Sequence, residues 1–130
     1  VHRSTAITDN KVTTQLQQSD VVLVLTNAPD LLLAKRIAHL LIEEGLAACI
    51  SLGTPVLSIY SWEGDVQGAD EIPLTIKTTW GQQEALIKRL VELHPYDVPE
   101  ALVVPVVGGF QPYLDWVRDL THQSKPKGSL

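Results

Sequence analysis

The segment His94-Pro95-Tyr96-Asp97-Val98-Pro99-Glu100 gathers an imidazole, a phenol, two carboxylates and two prolines in seven consecutive residues. Each proline fixes its own φ and drives the residue before it toward extended geometry. The segment is therefore stiff, and its polar groups are held in place. His94 and Glu100 suit a borderline metal such as Zn²⁺ or Cu²⁺, whereas a lysine such as Lys77 suits an anion. His94 also has a plainer role open to it, because a cation near a helix C-terminus is favoured. Cys49 is the only thiol, and it sits in the apolar run Leu46-Ala47-Ala48-Cys49-Ile50. Such a setting favours a buried structural cysteine over a reactive one. His39 lies beside an apolar helical stripe and reads as a margin residue.

Spacing narrows the chemistry. There is no Cys-x-x-Cys, no His-Glu-x-x-His and no Ca²⁺ loop, so a metal site needs ligands from distant segments or from different subunits. No Gly-x-Ser-x-Gly elbow supports a serine nucleophile, and the strand context of Cys49 gives no reason for a lowered thiol pKa. The expectation is a protein that is not an enzyme. No glycine-rich phosphate loop is present. Glu63 and Glu100 could act as a carboxylate pair only if folding joins them. Tyr60, Trp62, Tyr96, Tyr113 and Trp116 could line an aromatic pocket with polar tips, or pack the core and a subunit contact.

The elements that must position these groups read as follows. Val21-Val22-Leu23-Val24-Leu25 is a strand buried on both faces. Asn27 and Asp30 offer capping oxygens, and Leu33, Ile37, Leu40 and Leu41 form a helical stripe that Gly45 ends. Residues 47–61 form a long strand pattern with a bulge or bend at Gly53-Thr54-Pro55. Glu63-Gly64-Asp65 is a turn, and 72–78 is a further strand. Thr79 with Gln82 fits a capping box for a helix with Leu86, Ile87, Leu90 and Leu93 inward. Residues 101–107 form a last strand, placed at a sheet edge by Pro105. Gly108-Gly109 leads into a short helix with Tyr113, Trp116, Val117 and Leu120 on one face. The order is that of the α+β, ferredoxin-like split βαβ sandwich, an antiparallel sheet with a C-terminal helix added. Two main helices cover one face of such a sheet, and self-association is the simplest cover for the other.

Residues 1–19 are polar and read as a disordered leader, with residues 1–4 a candidate cloning scar. Residues 122–130 read as a flexible tail, which leaves one domain over 20–121. The net charge of −5 and pI near 5.2 argue against binding nucleic acid. No apolar run approaches the roughly 20 residues needed to span a bilayer, and a single cysteine allows no intrachain disulfide. These features make a cytoplasmic location the default expectation, with no membrane partner.

The chain resembles the CutA family, the divalent-cation tolerance proteins. The resemblance rests on Thr26-Asn27-Ala28-Pro29-Asp30, Gly45-Leu46-Ala47-Ala48-Cys49, Ser58-Ile59-Tyr60-Ser61-Trp62-Glu63-Gly64, Ile76-Lys77-Thr78, the His94–Glu100 segment, Pro105-Val106 and Tyr113-Leu114-Asp115-Trp116-Val117. It spans residues 21–121. It implies a ferredoxin-like protomer in a homotrimer similar in architecture to the PII signalling proteins, and a role in tolerance of copper and other divalent metals. It further implies a ligand cleft between subunits at Trp62, Glu63, Lys77, His94, Tyr96, Glu100, Tyr113 and Trp116. Cys49, His94 and Glu100 are the implied metal ligands, with copper or another divalent ion as the implied cofactor. Some members carry an extra cysteine at the end of the first strand, where this chain has Thr26, so no multi-thiolate copper site forms within one subunit. The alternatives are a PII-like sensor that takes an anionic metabolite, with Lys77 and His94 meeting it, and a structural adaptor trimer.

Overall fold

The computed structural model describes residues 15–121; the expected cloning scar, most of the expected leader and the 122–130 tail lie outside them. The elements are β1 (Val21–Ala28), α1 (Leu31–Glu43), β2 (Cys49–Leu52), β3 (Val56–Trp62), β4 (Asp65–Thr79), α2 (Trp80–Leu93), β5 (Leu102–Pro105) and α3 (Gln111–Thr121). The fold is the expected α+β, ferredoxin-like arrangement with an added C-terminal helix. Strand order is β2-β4-β1-β5, with β3 also on β4, and all pairs are antiparallel.

β4 is the spine of the sheet. Residues 72–79 pair with β1 and 74–77 with β2, while 65–71 pair with β3. This corrects the sequence reading, in which the strand begins at 72. The signal was present, because a two-residue turn implies a strand on each side. Glu63 (φ 51°) and Gly64 (φ 86°) are both left-handed, as the tight hairpin turn requires. The strand pattern over 47–61 is interrupted at 53–55, where a bulge or bend was expected, and forms two strands. Pro73 explains the break: its carbonyl accepts the Gly53 N–H at 2.9 Å, but the same edge of Pro73 has no N–H to return.

Alternation divides the sheet. Val22, Val24, Thr26 and Ala28 share a face with Ile72, Leu74, Ile76 and Thr78, all buried. Ala34, Ile37 and Leu41 of α1 and Leu86 and Leu90 of α2 complete this core. Asp30 caps α1 as expected, its Oδ1 accepting the Leu33 N–H at 2.8 Å. Gly45, at φ 75°, ends that helix, with the Leu46 N–H returning to Leu41 O at 3.0 Å.

The capping box expected at Thr79 and Gln82 does not form, since Thr79 makes no side-chain cap bond. Residues 17–20, assigned mostly to the leader from sequence, take its place. Asp20 O and Gln18 O accept the Trp80 and Gly81 N–H groups at 2.8 and 2.9 Å, which satisfies the helix start from outside. Gly81 permits this approach, because a Cβ there would lie 2.5 Å from Gln18 Oε1. Gln82 is freed for another use and donates from Nε2 to Thr121 O at 2.6 Å, tying α2 to α3.

α3 covers only one end of the opposite sheet face, through Val117 and Leu114 against Val21, Ala48 and Val106. Of the face expected on this helix, Val117 is buried, as is Thr121, while Tyr113, Trp116 and Leu120 are each more than 40% exposed in the single chain. β5 is an edge strand, with Pro105 at its end opposite Val22.

Thr26 is 2% exposed, and its Oγ1 has no hydrogen-bond partner among the described residues. An unmet buried hydroxyl costs about 1–3 kcal/mol. Thr26→Val keeps the shape and removes that cost. We expect it to raise unfolding free energy by roughly 1 kcal/mol in urea titrations; a loss of stability would show that the hydroxyl is bonded.

Candidate functional site

Pro95 ends α2, because a residue before proline is disfavoured in helical geometry; His94 is the C-cap, at φ −90° and ψ 138°. Its ring turns inward and is 7% exposed. Nε2 lies 2.7 Å from Asn27 O, and Nδ1 accepts the Tyr96 N–H at 3.2 Å. A ring nitrogen that accepts leaves the other one to donate, so Nε2 faces Asn27 O as the donor. Both nitrogens are thereby committed. The ring also packs against Tyr96, with centroids 4.6 Å apart.

The network continues outward. Asn27 Nδ2 donates to Glu100 Oε1 at 2.9 Å, and Tyr96 Oη donates to Glu71 Oε2 at 3.1 Å. Burial first, and then the Glu71 carboxylate, raise the Tyr96 phenol above its ordinary pKa. The end of β1, the middle of β4 and the proline loop are thus joined through Asn27, His94 and Tyr96. Between this loop and the β3–β4 hairpin lies a groove of about 640 Å³. Ser58, Tyr60 and Trp62 of β3 face it beside Gln67, Ala69 and Glu71 of β4, with Asn27, Tyr96, Asp97, Val98 and Glu100 opposite. Among the described residues its charged side chains are Glu71, Asp97 and Glu100, and no Lys, Arg or His lines it.

Of the expected cleft residues, Trp62, Tyr96 and Glu100 meet in this groove, with His94 supporting it from behind. Glu63 does not; it occupies the hairpin turn, and Glu71 is the carboxylate that joins Glu100 instead. Lys77 lies elsewhere, in the cross-strand row Val104–Leu23–Lys77–Cys49, with Nζ donating to Ser51 Oγ at 2.6 Å. Tyr113 and Trp116 stack beside that row with centroids 5.5 Å apart. Burial, followed by the neighbouring Cys49 thiol, raises the Tyr113 phenol above its ordinary pKa. Within one chain the residues of the expected inter-subunit cleft form two clusters.

The implied ligands Cys49, His94 and Glu100 do not converge. Cys49 pairs with Lys77, four residues along β4 from the Pro73–Asn27 pair that adjoins His94, which is about 13 Å along the strand direction alone. Among the described residues no three His, Cys, Asp or Glu side chains are grouped to hold a metal ion. Asn27 and Glu71 are groove residues that sequence reasoning missed, whereas Asp97 belongs to the segment it singled out. Glu71 was hidden by the late start assigned to β4, and Asn27 by its resemblance to a helix cap.

Fold and groove together define a class: a ferredoxin-like protein with a preformed acidic-aromatic groove and one sheet face left largely uncovered by the described residues. The sequence profile of the CutA1 divalent ion tolerance protein matches residues 22–120, and the chain belongs to that family. It is 44% identical over 98 residues to the divalent-cation tolerance protein CutA of Pectobacterium atrosepticum, covering 75% of this chain and 89% of that one. The crystal structure of CutA from Xylella fastidiosa superposes with a TM-score of 0.77 at 40% identity, over 78% of this chain and 98% of that one. As a member of this family the protein is non-catalytic, with a function in divalent-cation tolerance. The expected cytoplasmic location is corrected: a relative from Archaeoglobus fulgidus, 30% identical with a TM-score of 0.76, is described as the periplasmic divalent cation tolerance protein CutA. Charge and hydropathy do not distinguish two aqueous compartments. No helix among the described residues is long and apolar enough to cross a membrane.

Proposed function

We propose that the protein acts in divalent-cation tolerance as a homotrimer that takes a cation in the groove between the β3–β4 hairpin and the 94–100 loop. The observation that carries this reading is the charge of the groove: Glu71, Asp97 and Glu100, with no basic side chain lining it among the described residues. Such a field attracts cations and repels anions, which weighs against the PII-like alternative with an anionic metabolite. Lys77, which that alternative needs, belongs to the other cluster. The carboxylates do not converge within one chain, so a divalent ion keeps part of its water shell or gains a donor from a second copy. A second copy is also called for by the uncovered sheet face, where Leu102 and Val104 are 55% and 38% exposed.

Calorimetric titration with Zn²⁺ and Cu²⁺ tests the site. The double substitution Glu71→Gln with Glu100→Gln keeps the hydrogen bonds from Tyr96 and Asn27 but removes the charge. It is expected to weaken metal binding on the order of tenfold, from loss of about 1–2 kcal/mol, with the oligomer intact. Unchanged isotherms would move the metal site out of the groove.

A further inference from the structure

We propose that the same groove takes an organic polycation, a linear di- or polyamine, in competition with the divalent ion; this rests on the groove being the ligand site. Charge alone would serve a metal, but the lining is also aromatic. Tyr60, Trp62 and Tyr96 border the groove and remain 43%, 58% and 39% exposed. A metal ion that keeps its water gains little from ring faces. An ammonium group is attracted to them, and its methylene stem packs along them.

The carboxylates fit the same occupant. They are not grouped to hold one small ion, so they match separate charges carried along an extended molecule. Glu71 and Glu100 are oriented in advance by Tyr96 Oη and Asn27 Nδ2, and each keeps a second oxygen without a partner among the described residues. Pre-set acceptors lower the ordering cost of binding. A volume of about 640 Å³ falls in the range that holds small organic molecules.

Spermidine is the probe, titrated calorimetrically into the intact protein, with glutarate as the anionic control and Zn²⁺ in parallel. Trp62→Leu and Glu100→Gln are each expected to weaken spermidine about three- to tenfold. Asp70→Asn removes the same charge from the other face of the hairpin, opposite Leu57, and is expected to change binding less than about twofold, as a distant screened charge should. Saturating Zn²⁺ should reduce spermidine affinity. Zn²⁺ binding without spermidine binding would overturn this proposal alone. Absence of both would overturn the cation site as well. An Asp70→Asn effect as large as that of Glu100→Gln, or no effect of Trp62→Leu, would reduce the interaction to non-specific attraction and overturn the proposal.

Discussion

His94→Ala is expected to destabilise the protein by about 3 kcal/mol in denaturant titrations at fixed protomer concentration. The substitution removes a ring that is 7% exposed, together with its bonds to Asn27 O and the Tyr96 N–H. Each unmet backbone group costs roughly 1 kcal/mol or more, and loss of ring packing adds to this. The damage should also spread to the groove. Tyr96 loses its backbone anchor, and its hold on Glu71 loosens with it. Amide exchange at Tyr96 should therefore accelerate beyond what the drop in global stability explains. A loss below about 0.5 kcal/mol, the range of ordinary surface substitutions, would mean that the loop holds itself and that His94 is free for another role, metal ligation included.

The paired substitution Leu102→Asp with Val104→Asp is expected to convert the proposed homotrimer into monomers, read by sedimentation velocity at micromolar concentration. Both residues lie on edge strand β5, opposite Leu25 and Leu23, on the sheet face that α3 does not reach. They are exposed in the single chain, so two carboxylates there cost the isolated protomer little. Buried against another copy they would be desolvated without partners, at several kcal/mol each. Thermal stability should fall with the assembly, because a protomer no longer gains from association. Retention of the trimer mass in the variant would place the interface elsewhere, and a monomeric parent protein would remove the trimer reading altogether.

Much of the fold was legible because its signals are local. The α1 stripe, the Asp30 cap, the Gly45 stop and the edge position of Pro105 follow from residue type and spacing. The late start assigned to β4 overlooked a local turn signal, but the mistaken capping box concerns groups whose partners are distant in sequence. Thr79 and Gln82 match a capping box, yet the helix start is satisfied by residues 18 and 20 and the Gln82 amide by Thr121. On α3 the expected Val117 packs on the sheet end together with Leu114, which residue type alone did not single out. The break at 53–55 was legible from Gly53 and Pro55, and Pro73, about twenty residues onward, faces it across the sheet.

The sequence by itself determined the class of protein, its antiparallel sandwich, the stiffness of the 94–100 loop and the presence of an apolar face in need of cover. Stiffness and amphipathic period reside in neighbouring residues, and no folding is needed to read them. Tertiary structure decided which chemical groups face one another. Antiparallel register sets Lys77 beside Cys49 and far from Glu100, and brings Glu71 within reach of Tyr96. The same packing commits both nitrogens of His94 to hydrogen bonds. A side chain's chemistry is fixed by its type, but whether a lone pair is available depends on the groups the fold brings to it.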